Sequence, residues 1–207
     1  MKLSDLTFRD IDRHFFFVEN LKQVKKIYKK LHIKEEIHPI LVFGYIDHEK
    51  GIQFRVLGNI VIEDGMPKLE EQFIKNSFTL PYDSFEEYDI KPVPEDTIAK
   101  INGIFSIEDD VDNLYSNADL LKSRKNTQLD KYRDLRLVDD VQFLLLTREA
   151  QQENVWARIE AEEDKQILRC TLLDKPKKVF NLKQNDKIYI KYVEHPKYKG
   201  LMFVKKI

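Results

Sequence analysis

The sequence predicts an α+β fold: an N-terminal helix with an antiparallel meander, then helices followed by a small antiparallel C-terminal sheet. Three observations lead there. Asn20 to Leu31 repeats apolar residues at three- and four-residue spacing, the period of a helix with one buried face. Asp186 to Val193 alternates cleanly, the period of a strand with one buried face. Helical and strand-like stretches also come in separate runs, not in the strict alternation that builds a parallel sheet.

The elements follow in order. In the first helix Leu21, Val24, Tyr28 and Leu31 form the apolar stripe, Lys22, Lys25, Lys26, Lys29 and Lys30 fill the remainder, and Asn20 is placed to cap the first turn. Ile40 to Ile46 and Ile52 to Ile62 are rich in β-branched and aromatic residues, and His48-Glu-Lys-Gly51 between them holds the glycine that a hairpin turn favours. Glu63-Asp-Gly65 predicts a second turn and Phe73 to Leu80 a third strand, which completes the meander. Pro81, Pro92 and Pro94 then cluster among acids. Proline removes a ladder donor and restricts the residue before it, so this stretch reads as a linker or a long surface loop. It divides the chain into residues 1–90, a helix plus β-meander region, and residues 95–207, helices followed by a β-rich region with a basic tail.

Pro94 to Ile101, Glu108 to Leu121 and Thr127 to Leu137 have helical spacing. From there the pattern is of strands: Val141 to Thr147, Asn154 to Ala161, Gln166 to Leu173, Lys187 to Val193 and Leu201 to Ile207. In the fourth, Ile188, Ile190 and Tyr192 share the core face, with Lys187, Tyr189, Lys191 and Val193 opposite. Trp156, in the second, is expected to anchor the core of a small curved sheet.

Composition restricts the function classes. With 42% hydrophobic and 34% charged residues the chain reads as folded and soluble, not disordered. A single cysteine, Cys170, excludes an intramolecular disulfide, and its apolar neighbours predict a small buried hydrophobe. The first ten residues mix acids with apolar residues where a signal peptide would place a basic patch and an apolar run, and the longest apolar stretches are too short to cross a bilayer. A cytoplasmic protein with no membrane partner is expected.

Catalytic and cofactor signatures are absent from the sequence. His14, His32, His38, His48 and His195 show no paired metal-ligand spacing, so they read as scattered surface or turn residues. Glu108-Asp-Asp-Val-Asp112 lacks the glycine and the distal glutamate of a calcium loop. No glycine-rich phosphate cradle and no Gly-x-Ser-x-Gly elbow occur, and acids are too abundant in the middle of the chain for any pair of them to single out an acid–base site. Neither cofactor nor metal is expected.

Charge is sorted along the chain. Residues 165–207 hold twelve basic residues against three acids, a net of +9, while residues 51–164 hold thirteen against twenty-five, a net of −12. Lys175, Lys177, Lys178, Lys187, Tyr189 and Lys191 form the candidate binding surface, since lysines interleaved with aromatics on a β-surface suit phosphate contact and base stacking. Lysine so outnumbers arginine there that sequence-specific readout is not indicated. The competing reading is a lysine face that is solvated or pairs with the acids of the same chain.

Glu153-Asn-Val-Trp-Ala-Arg-Ile159, Leu168-Arg-Cys-Thr-Leu-Leu-Asp-Lys-Pro176 and Leu182-Lys-Gln-Asn-Asp-Lys-Ile-Tyr-Ile190 together resemble a bacterial family, domain of unknown function 2314, whose relative, domain of unknown function 2185, is grouped with immunity proteins of toxin systems. The family pattern has an acid before a Trp-containing strand, a second strand ending Leu-x-x-x-Pro, and a Leu-Lys-x-Gly-Asp turn into a third. Glu153, Trp156, Leu172, Pro176, Leu182, Asp186 and Ile188 occupy those positions. Asn185 and Cys170 stand where the family has glycines, and the family's terminal Asp-Trp is missing. The resemblance spans Val141 to Val193 and implies no catalytic residue. The function expected from all this is non-enzymatic binding of another protein, as an immunity or accessory factor. The alternative is sequence-independent binding of single-stranded nucleic acid by the basic C-terminal sheet.

Overall fold

The computed structural model describes residues 1–34, 36–63, 66–69, 78–95, 97–98, 117–146, 152–164, 167–177, 181–195 and 198–207. Among them 48% lie in strands and 23% in helical turns, so the fold is mostly β, which corrects the expected α+β class. Two compact units, Met1–Tyr115 and Ser116–Ile207, each enclose a core of their own.

The first unit is a twisted sheet. Short helix α1 (Phe8–Ile11) leads into β1 (His14–Val18), followed by α2 (Leu21–Lys30), β2 (Ile40–Asp47), β3 (Gly51–Glu63), β4 (Met66–Leu69), β5 (Phe78–Pro81) and β6 (Lys91–Pro92). The strand order is β4-β3-β2-β1-β6, with β5 on β3. β3 is long enough to pair β2 from Gly51 to Asn59 and β4 from Ile60 to Glu63. Central β2 is buried at every position. The β2–β3 turn is set by Asp47, whose Oδ1 accepts the N–H groups of Glu49 and Lys50, and by Gly51 at φ 73°, where a side chain would be strained. Gly44 answers a different demand: a Cβ there would stand 2.6 Å from the carbonyl oxygen of Ile11, so only glycine lets α1 lie this close to the sheet.

Helix α2 forms where its spacing predicts. Asn20 accepts the Lys22 N–H as cap, and His32 at φ 56° closes the far end while the Ile33 N–H reaches the Tyr28 carbonyl. Val24, Ile27 and Tyr28 are buried, and the Tyr28 hydroxyl donates to Asn59 on β3; Leu21, assigned to the stripe by spacing, is 49% exposed. The proline segment departs from the sequence reading. Its elements are short, but Phe85, Tyr88, Ile90 and Val93 are buried, so it packs as part of the first unit instead of floating as a solvated loop. Its acids had masked four core residues. Thr97 and Ile98 donate to the Pro94 carbonyl, the start of a helical turn; the rest of that expected helix, the Glu63-Asp-Gly65 turn beyond Glu63, the Phe73-to-Ser77 part of the third strand and the Glu108-to-Ser116 part of the next expected helix, with its acidic run, lie outside the described residues.

In the second unit α3 (Ala118–Lys125) and a 3-10 turn (Thr127–Tyr132) precede β7 (Asp140–Leu146), β8 (Gln152–Asp164), β9 (Ile167–Leu172), β10 (Lys187–His195) and β11 (Tyr198–Lys206). These five strands form a closed barrel, each antiparallel to the next, so the small sheet expected here has no free ends. With an odd number of strands the last must run parallel to the first, and Met202 of β11 accordingly lies beside Leu144 of β7 in parallel register. The expected helix Thr127 to Leu137 is replaced by a tight plug: Leu129 is buried against the barrel interior while Leu135 is 89% exposed.

Candidate functional site

The barrel wall decides which side chains meet solvent. Val155, Ala157 and Ile159 of β8, Leu168, Cys170 and Leu172 of β9, and Ile188, Ile190 and Tyr192 of β10 fill the interior, so their sequence neighbours point outward. Trp156 is one of those neighbours. It is half-buried, opposite exposed Gln142, and belongs to the outer face, which corrects its expected role as core anchor. Leu144 and Met202 stand side by side on the adjoining strands, and half-buried Leu173 donates its N–H to the Trp156 carbonyl. Next along β8, Arg158 grips Asp140 of β7 through two bonds of 2.6 and 3.1 Å.

β8 carries two bulges, and each inserts a glutamate. Ile159 pairs with Cys170 and Ala161 with Arg169, leaving Glu160 over; Glu162 pairs with Leu168 and Asp164 with Ile167, leaving Glu163 over. Both carboxylates serve the basic strands. Glu160 lies 3.0 Å from the Lys187 ammonium and also accepts the Thr171 hydroxyl. Glu163 lies 3.1 Å from Arg169 Nε and accepts the Tyr189 hydroxyl, a bond that holds the phenol above its ordinary pKa. The Lys205 ammonium stands 5.3 Å from the centre of the Tyr189 ring.

The proposed surface residues are therefore split. Lys187, Tyr189 and Lys191 form one outward row on β10, whereas Lys175 and Lys177 are exposed in the segment after β9 and Lys178 lies outside the described residues. Lys187 and Tyr189 are engaged by acids that belong to the acidic middle of the sequence. The motif residues of the family resemblance hold the segment between β9 and β10. Glu153 accepts the Lys177 N–H at 2.8 Å, Leu172, Pro176 and Leu182 are buried, and Asp186 accepts the Lys183 N–H while its carboxyl, bonded to Lys206 2.7 Å away, is held below its ordinary pKa. Asn185 takes the left-handed conformation, φ 70°, that glycine would supply.

At one end of the barrel a buried polar cluster escaped the sequence reading. Arg124 of α3 holds Asp139 in a bidentate pair at 3.0 and 2.7 Å, and Arg133 donates to the carbonyls of Val138 and Ser123. Separations of fifteen and five residues follow no helical or strand period, so no local pattern announces it. The cluster fixes α3 and the plug to the start of β7. Cys170 is fully buried, and burial first, then the nearby Glu160 charge, drives its thiol well above its ordinary pKa, so it is not a nucleophile. Among the described residues no three of His, Cys, Asp and Glu gather to hold a metal ion, and no helix is long and apolar enough to cross a membrane.

No family model, curated protein or solved structure matches the chain. What the outer face can do is read from its chemistry alone: a half-buried indole and neighbouring apolar side chains, bordered by charges that are already paired.

Proposed function

We propose that the chain is a non-enzymatic, cytoplasmic protein-binding protein, an immunity or accessory factor, that docks its partner on the outer face of the barrel around Trp156. The position of this sole tryptophan carries the reading. An indole on a strand's solvent side offers large apolar area and has little conformational freedom to lose, which is why tryptophan recurs at the centre of protein interfaces. Exposed Gln142 and Asn154 flank it with groups that stay hydrated, as an interface rim does, and the charges of half-buried Arg158 and buried Asp140 beside it are already spent on each other.

The alternative, single-stranded nucleic acid held by Lys175, Lys177, Lys178, Lys187, Tyr189 and Lys191, draws less support from the same geometry. A single strand needs an open ring face and unspent positive charge, whereas Tyr189 is bonded to Glu163 and approached by Lys205 and Lys187 is bonded to Glu160.

A photo-crosslinking residue in place of Trp156 should give a discrete adduct with a second protein in the native cell, and none when it replaces exposed Lys50 of the first unit. Absence of that adduct, together with salt-sensitive quenching of Trp156 fluorescence by oligothymidine at physiological ionic strength, would move nucleic acid to first place.

A further inference from the structure

We propose that the solvent face of α2 is a docking surface for an acidic segment of a partner protein. The inference concerns the first unit and stands whether or not Trp156 docks anything. Lys22, Lys25, Lys26 and Lys29 recur at the i, i+3, i+4, i+7 spacing that puts side chains on one helix face, directly opposite the buried Val24, Ile27 and Tyr28. All four are exposed, and among the described residues none of their ammonium groups has an ion-pair or hydrogen-bond partner.

Solvated helices normally intersperse acids with lysines at this spacing. Here no acid occurs between Glu19 and Glu35, so Lys22 faces Lys26 and Lys25 faces Lys29 as like charges, and Lys22 sits at the positive end of the macrodipole. Acids are plentiful elsewhere, thirty-six in the chain, so their absence from this face is a local rule broken without compensation among the described residues; Asp89, seated against the helix, is bonded to Gln23 and not to the stripe. A bound anion supplies that compensation.

The unit's own charge selects the kind of anion. Met1–Tyr115 holds fifteen basic and twenty-two acidic residues, a net of −7. A duplex or an anionic bilayer, extending well past the helix, would meet that excess. The lysine stripe runs about 10 Å at 1.5 Å per residue, close to the screening length of about 8 Å in physiological salt. An occupant of matching length therefore feels four lysines against the single carboxylate of Asp89 held at Gln23, and not the unit's whole acidic excess. The stripe holds neither arginine nor aromatic residue, so it has no bidentate phosphate grip and no stacking platform; point charges suit a run of carboxylates.

The test compares the full chain with K22Q/K25Q/K26Q/K29Q, using a fluorescent oligoglutamate peptide as probe and anisotropy as readout. The parent should bind with an affinity that falls as salt rises, the variant should bind about tenfold more weakly, and Trp156→Ala should bind as the parent does, which separates this surface from the barrel face. The variant's thermal midpoint should hold or rise, because repulsion is relieved. A lowered midpoint would mean that the lysines already have partners in this chain, and would overturn the proposal. So would equal binding by parent and variant, or tighter lysine-dependent capture of a random-sequence duplex or of phosphatidylserine vesicles at the same salt.

Discussion

Trp156 shares the even-numbered positions of β8 with Asn154, Arg158 and Glu160, while Val155, Ala157 and Ile159 are 1, 0 and 0% exposed. That parity is legible in the sequence, because one alternate set is uniformly apolar and the other mixes a single aromatic with polar residues; the expectation of Trp156 as core anchor rests on one residue of the alternation and not on its set. Trp156→Ala should accordingly cost about 2 kcal/mol in a urea titration, below the 3 to 5 typical of a large aromatic lost from a packed core. A cost in that higher range would put the indole back among the core residues and remove the ground for docking at it. Cys170 was readable from its neighbours, since an isolated cysteine inside an apolar alternation has one inexpensive place to go. Gly44 was not. Its need for glycine arises from Ile11, thirty-three positions earlier, and no local pattern reports such an approach.

At the scale of elements, all five barrel strands stand close to where the sequence placed them, and so do α2, whose period is sustained over about three turns, and β2 and β3, whose β-branched and aromatic runs flank the hairpin glycine. Closure was not legible. It depends on accumulated twist, on the bulges in β8 and on the β11–β7 pairing of segments at opposite ends of the unit. The Thr127-to-Leu137 helix failed for another reason: Asn126 caps a new turn, and Arg133 spends its guanidinium on backbone carbonyls, a local alternative that competes with helix continuation. The Arg124–Asp139 pair that locks α3 in place has side chains only 6 and 2% exposed. Asp139→Ala leaves Arg124 charged and buried without that carboxylate and should destabilise the second unit by about 3 to 5 kcal/mol, whereas Lys187→Gln, which removes a pair 53 and 27% exposed, should cost under about 1 kcal/mol and less still in high salt. Equal costs for the two would mean that burial does not govern these pairs.

For the whole molecule, the sorted charge resolves by unit: −7 on Met1–Tyr115 and +6 on Ser116–Ile207, since the latter holds twenty basic and fourteen acidic residues. Each unit encloses its own cluster of buried residues, and the sole tryptophan lies in the second. Trp156 fluorescence and far-ultraviolet circular dichroism should therefore report different midpoints in one denaturant titration, the first following the barrel and the second following both units. Coincident curves would show that the two cores melt as one. The barrel's tolerance of shortening follows from the glutamates of β8. A strand shortened by one residue normally turns its inner face outward beyond the cut, yet Glu160 has no opposite number on β9, so its removal leaves Ile159 facing Cys170 and Glu162 facing Leu168, while the bend and the bonds to Lys187 and Thr171 are lost. Loss of Ala157 has no such slack and would invert the wall on one side of the gap. A chain lacking Glu160 should still shield Cys170 from a thiol reagent under native conditions, and a chain lacking Ala157 should not: β8 can be edited by a whole codon at its bulges and nowhere between Val155 and Ile159.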